Sequence, residues 1–262
     1  MHRARKRFGQ HFLHDRSVIE RILRAIDPRP GEFLLEIGPG QGALTYPLLQ
    51  RCKSLTAIEL DRDLIPVLEK NAGALGRLEI INADILKFEL AGIATGRKIR
   101  LVGNLPYNIS TPLMLHLLES AHLIQDMHFM VQKEVAQRIV AGSGDPSYGR
   151  LSVMLQFHCQ CQYLFEVAPA CFKPPPRVDS AVIRLIPLQQ PTQEIDDYAQ
   201  FSQLVQKAFG QRRKTISNSL KSILDRETIS ACGINPGLRA ENLEIADFAK
   251  LSRALNLWPK FP

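Results

Sequence analysis

Apolar positions change their spacing at about residue 30. Val18, Ile19, Ile22, Leu23 and Ile26 recur at i, i+3 and i+4, which predicts a helix entered at Asp15 or Ser17 and ended by Asp27-Pro28. From Phe33 onward the apolar residues gather into short runs of strand length: Phe33–Ile37, Leu55–Glu59, Leu78–Asp84, Ile99–Gly103, Met127–Gln132, Leu151 to about Phe165, and Ala181–Pro187. Helical patterns over Ala43–Arg51, Thr111–Ser120 and Lys133–Ala141 alternate with them. That alternation predicts an α/β fold, a doubly wound sheet of seven strands. After a linker at Pro191–Glu194, Tyr198–Phe209, Arg212–Leu224 and Ala246–Leu257 read as amphipathic helices with no strand among them. The expected organisation is a larger domain over 1–190 and a small helical domain over 191–262.

The first strand runs into Gly38-Pro-Gly40-Gln-Gly42. Three glycines at alternate positions let the backbone turn sharply and approach a ligand closely, beside a helix that presents free N–H groups. Gly38-x-Gly40-x-x-Ala43 also fits the fingerprint of nicotinamide-dependent oxidoreductases, and the turn alone does not choose between cofactors. The acids do. Glu36, Glu59 and Asp84 stand at the carboxyl ends of three successive strands, the side of an open α/β sheet where ligands bind. Three carboxylates repel a pyrophosphate but suit S-adenosyl-L-methionine, which carries a sulfonium, an ammonium group and a ribose diol. Charge-assisted bonds are worth roughly 1.5–3 kcal/mol each, so Glu59 is expected on the ribose and Asp84 on the adenine amino group.

Composition narrows the partner. The 262 residues carry a formal net charge of +7. Residues 1–30 hold eight Lys/Arg against three acids, a local +5, and Arg212, Arg213, Lys214 and Lys221 fall in a stretch without an acid. Two basic clusters flanking a methyl-donor site suit a polyanion, RNA or DNA. Five scattered cysteines point to reduced thiols in a cytoplasm. Cys159 and Cys161 share a strand face, yet no second pair completes a zinc site, and no metal is expected. There is no run of 18 or more apolar residues and no charged segment followed by an apolar one, so neither a membrane span nor secretion is expected.

The fourth strand ends in Asn104-Leu105-Pro106-Tyr107. An exocyclic adenine amine is a poor nucleophile because its lone pair is delocalised into the ring. A site that methylates it needs acceptors that hold the amine and favour a pyramidal nitrogen. Asn104 brings a side-chain oxygen, Leu105 a carbonyl oriented by the following proline, and Tyr107 a ring on which a base can stack, worth roughly 1–3 kcal/mol.

Together with Glu36-Ile-Gly-Pro-Gly40, Gln10-His-Phe-Leu13, Phe172-Lys-Pro-Pro-Pro-Arg-Val-Asp-Ser180, Gln211-Arg-Arg-Lys-Thr215 and Arg239-Ala-Glu-Asn242, this segment strongly resembles the ribosomal RNA adenine dimethyltransferases. The similarity is greatest to their bacterial small-subunit branch, whose loss gives kasugamycin resistance. The resemblance implies a Rossmann-like class I methyltransferase sheet, cofactor contacts at His11, Leu13, Gly38, Glu59, Asp84 and Asn104, and base stacking by Tyr107 and Phe172. It implies N6,N6-dimethylation of two adjacent adenosines in the hairpin near the 3′ end of 16S rRNA, within an immature 30S subunit, by an enzyme that is monomeric off the ribosome. The family usually carries asparagine where His11 stands, so the mode of that contact is open. The competing readings are a 23S rRNA adenine methyltransferase of the macrolide-resistance type, a non-catalytic RNA-binding assembly factor, and an oxidoreductase that leaves Asn104–Tyr107 unexplained.

Overall fold

A computed structural model describes residues 11–94, 96–211 and 213–257. The basic residues from Arg3 to Arg7 lie outside them. Seven strands form the main sheet: β1 (Phe33–Ile37), β2 (Ser54–Glu59), β3 (Arg77–Asn82), β4 (Ile99–Asn104), β5 (Ile124–Gln132), β6 (Cys159–Val167) and β7 (Ser180–Pro187). Their order is β3-β2-β1-β4-β5-β7-β6. The pairs from β3 through β5 are parallel, and β7 runs antiparallel to β5. Central β1 buries Leu34, Leu35, Glu36 and Ile37 in succession, the continuous pattern of a strand covered on both faces. The order reverses between β1 and β4, so a crevice opens beyond their carboxyl ends.

Helix α1 (Arg16–Ile26) starts where the Asp15 side chain accepts the Val18 N–H at 3.0 Å, and it ends at Asp27 in the left-handed region. Val18, Ile22, Leu23 and Ile26 are buried, while Ile19 packs at the margin of the same core. Before α1, Phe12–Leu13 pairs antiparallel with Phe172–Lys173 in a separate two-stranded ladder. A pair this short has little stability of its own. Burial of Leu13 and Phe172 in the α1 core holds it.

Two expectations fail. The sixth strand does not begin at Leu151: Arg150–His158 is a helix, and only Cys159–Val167 is extended. Leu151, Val153, Met154, Leu155 and Phe157 are all buried, and a continuous apolar run fits a buried helix as well as a strand. The helix foreseen over Arg212–Leu224 contracts to Ile216–Leu220. Helices Ile65–Ala72 and Arg226–Ala231, absent from the periodicity reading, are also present.

The chain divides into two compact units, one of residues up to Ala136 with Gln160–Pro187, the other of Gln137–Cys159 with the chain from Leu188 onward. The second unit therefore takes in the misread 150–158 helix as well as the helices beyond the linker. Within that unit Phe157 packs on Phe201, and Phe209 on Phe248.

At the amino end of the sheet, Arg100 of β4 is buried against Asp126 of β5, with Nε–Oδ1 and Nη2–Oδ2 distances of 2.9 and 3.0 Å. Arg100 also donates to Glu32 and to the Ile26 carbonyl at the end of α1. His128 lies in the same layer, its Nδ1 3.9 Å from Asp126 and neither ring nitrogen hydrogen-bonded among the described residues. Burial holds His128 down to about 4. The unfolded chain, with its ordinary histidine, takes up a proton at higher pH than the folded one, so stability is full above the unfolded value of about 6.5 and is lost as pH falls towards 4. Urea unfolding at pH 5 should show about 2 kcal/mol less stability from this group than at pH 7. His128→Gln should remove most of that difference, and an equal loss in the variant would show that other groups carry it.

Candidate active site

A cavity of about 350 Å³ opens at the carboxyl ends of β1, β2 and β4. That volume lies within the range of small-molecule sites, about 300–1,000 Å³. Its floor is the glycine turn. Gly38, Gly40 and Gly42 have φ of 66°, 57° and 86°, the left-handed region that side chains other than glycine rarely adopt. At Gly40 a Cβ would meet the Phe12 ring at 3.2 Å, so the strap before α1 closes directly onto the turn.

Glu59 ties the turn to β2. One carboxylate oxygen accepts the Gly40 N–H at 3.1 Å and the other accepts the Asp61 N–H at 2.8 Å. Burial pushes its carboxyl upward, while the Asp61 and Gly40 amides draw it back. Asp84, at the mouth of the same cavity, accepts the Leu86 N–H at 3.1 Å and so caps the 3₁₀ turn that follows β3. Glu36 differs from both. It is 2 % exposed, and its Oε2 has no hydrogen-bond partner among the described residues. Burial pushes its carboxyl up to about 8, with the neighbouring Glu59 adding to the rise and the Thr45 hydroxyl opposing it.

The opposite wall is the segment after β4. The Asn104 Nδ2 donates to the His11 carbonyl at 3.0 Å, which uses the donor end of the amide and leaves Oδ1 as the acceptor. Leu105 is buried and its N–H is held by the Met130 carbonyl at 3.0 Å, so only its own carbonyl is offered outward. The carbonyls of Pro106 and Tyr107 are taken by the Ile109 N–H and the Ser110 hydroxyl. Tyr107 is half-buried, with its hydroxyl 2.7 Å from the Ser180 Oγ. The His11 ring stacks on the Tyr107 ring, centroids 5.6 Å apart, and its Nδ1 lies 2.8 Å from the Pro174 carbonyl.

His11, Leu13, Gly38, Glu59, Asp84, Asn104, Leu105 and Tyr107 thus all line one cavity. Phe172 does not. It is 2 % exposed, paired with Leu13 and packed in the α1 core, so it has no free face for a base, and its expected stacking role is corrected. Arg212 lies outside the described residues; Arg213, Lys214 and Lys221 are exposed in the second unit. Sequence reasoning missed Phe12 as a wall of the site and Ser180 as the anchor of Tyr107. The aromatic position in Gln10–Leu13 was visible as a signal for the first; nothing local marked the second.

A parallel sheet with antiparallel β7 inserted between β5 and β6, a glycine turn after β1 and an acid ending β2 define a class I methyltransferase. The sequence matches the family described as ribosomal RNA adenine dimethylase over residues 1–257. Proteins named ribosomal RNA small subunit methyltransferase A from Methylococcus capsulatus and Pseudomonas aeruginosa are 54% and 53% identical to it. Each alignment covers 97% of this chain, and 99% and 95% of those proteins respectively. Among solved structures, a dimethyladenosine transferase from Plasmodium falciparum aligns with a TM-score of 0.78 at 26% identity, covering 92% of this chain and 96% of that one. The 23S rRNA methyltransferase ErmE aligns at 0.73 and 28%, covering 94% and 99%. The chain belongs to the ribosomal RNA adenine dimethylase family. It is an S-adenosylmethionine-dependent rRNA adenine dimethyltransferase.

Gly40→Ala should weaken S-adenosylmethionine binding at least tenfold, because the added methyl meets Phe12 at a strained φ. Titration calorimetry on the folded variant checks this, and unchanged affinity would remove the turn from the cofactor site.

Proposed function

We propose that the enzyme converts two adjacent adenosines in the 3′-terminal hairpin loop of 16S rRNA to N6,N6-dimethyladenosine, acting as a monomer on an immature 30S subunit in the cytoplasm. The observation that carries this reading is the meeting, in one cavity, of the Glu59-fastened turn and the Asn104–Tyr107 wall. The small-subunit names of the relatives at 53% and 54% identity favour it over the 23S alternative. A loop adenosine also costs less to extrude than one in a duplex.

The residues present fit the cofactor: the side-chain-free approach at Gly40, the anchored Glu59, and Asp84 at the cavity mouth match a ligand with a diol, an adenine amine and positive charge. S-adenosylmethionine supplies an electrophilic methyl group on a sulfonium. Glu59 holds the ribose hydroxyls, since each of its oxygens keeps a lone pair beyond the amide bond it already accepts. Asp84 takes the adenine amine of the cofactor. The ring of His11 is committed to Tyr107 and Pro174, so its contact with the cofactor is made by backbone atoms, and histidine serves where the family usually has asparagine.

On the substrate side, the Asn104 Oδ1 and the Leu105 carbonyl accept the two amine hydrogens and turn the nitrogen lone pair outward. Tyr107 presents its ring to the base, its tilt fixed by Ser180 at one end and His11 against the ring. The amine proton leaves to solvent after transfer, and no covalent enzyme intermediate forms. Arg213, Lys214 and Lys221 contact RNA phosphates as exposed cations.

Asn104→Ala should lower turnover on immature 30S particles more than tenfold while sparing RNA affinity; an unaltered single-turnover rate would take Asn104 out of the chemistry. Lys214→Glu should weaken RNA binding and reduce the slope of log affinity against log salt by about one. The same slope in both proteins would leave Lys214 an ordinary solvated charge.

A further inference from the structure

Glu36 is left over by that account. It sits in the centre of the sheet, level with Ala57 on one side and Val102 on the other, and it shares the cavity with Glu59. The groups around it supply no positive charge, and the donor among them, the Thr45 hydroxyl, is neutral. From β2 comes the Glu59 carboxylate; from the helix Thr45–Cys52 come the Thr45 hydroxyl and the Cys52 thiol, the latter itself pushed up by burial; across the cavity stands Asp84. No lysine or arginine lines the cavity among the described residues. Glu59 satisfies its oxygens with two backbone amides, whereas the Glu36 Oε2 has no partner. Two neighbouring carboxyl groups with such unequal surroundings divide their roles, one carrying charge and the other a proton.

We propose that Glu36 is a proton-linked positioning residue: it holds a proton while the cavity lacks a cation, and it ionises when the positively charged part of S-adenosylmethionine enters. The carboxyl O–H bond breaks, the proton passes to solvent, and the carboxylate left behind balances the charge of the bound cofactor. Uptake of cofactor therefore expels a proton, and affinity strengthens as the solution becomes less acidic. This rests on the cofactor site proposed above.

Titration of the full chain with S-adenosylmethionine, in buffers of different ionisation enthalpy at one pH, counts the protons exchanged. With the Glu36 carboxyl at about 8, roughly nine-tenths of a proton should leave at pH 7, and affinity should rise close to tenfold from pH 6 to pH 7. Glu36→Gln should bind with almost no release and a flat pH profile; the cofactor's own amine is common to both titrations and cancels in the difference. If the variant does not fold, the pH profile and proton count of the wild type decide alone. Binding by the wild type without proton release, or release that persists in Glu36→Gln, would overturn the proposal and leave the cofactor site standing. Failure of the wild type to bind S-adenosylmethionine at all would overturn the site as well.

Discussion

One carboxylate fastens the glycine turn to the sheet. Glu59 accepts an amide from Gly40 with one oxygen and an amide from Asp61 with the other, so the end of β2 and the turn after β1 are held by a single side chain. Amide bonds to a charged acceptor are about twice as strong as neutral ones, and here the acceptor is buried. The turn needs that support because three of its residues occupy the left-handed region. In the proposed mode of cofactor binding the same anchored oxygens face the ligand. On that proposal, positioning the cofactor and holding the backbone that cradles it are one task, and a change at Glu59 disturbs both.

The sheet separates its work between its two ends. At the amino end Arg100, Asp126 and Glu32 lock α1 against β4 and β5 through buried charge pairs and the Ile26 carbonyl. Breaking such a pair leaves an uncompensated buried charge, which costs about 3–5 kcal/mol. At the carboxyl end the side chains are held by hydrogen bonds to backbone groups, as at Glu59, Asp84 and Asn104. Strand β4 spans both, with Arg100 near its start and Asn104 at its end. The rigid end sets where the chemical end stands.

Most of this was legible in the residues. Strand-length apolar runs marked the parallel core because a strand covered on both faces has no polar alternation to blur it, and the glycines, the acids and Asn104–Tyr107, expected at neighbouring strand ends, do meet around one cavity. What was not legible depended on packing. The 150–158 run is apolar throughout, and its hydrophobicity does not distinguish a buried helix from a strand; the Ser152 hydroxyl accepting the Gly149 N–H at 3.0 Å is a cap visible only in three dimensions. Phe172 is an aromatic in a proline-rich loop, and only its pairing with Leu13 shows that it faces inward. The Arg100 cluster joins residues from four distant segments and left no local trace.

The short ladder between Phe12–Leu13 and Phe172–Lys173 also bears on when the enzyme comes into being. One wall of its cavity is made of residues 11–13, yet the partners that pin them, Lys173 and the Pro174 carbonyl, lie about 160 positions further along. A chain emerging from the ribosome carries the glycine turn, its acids and Asn104, which donates to the His11 carbonyl, well before the strand that pairs with the strap. The ladder over the turn is thus completed only late in synthesis, and a product cut short before Phe172 would lack the strand that pairs with residues 12 and 13.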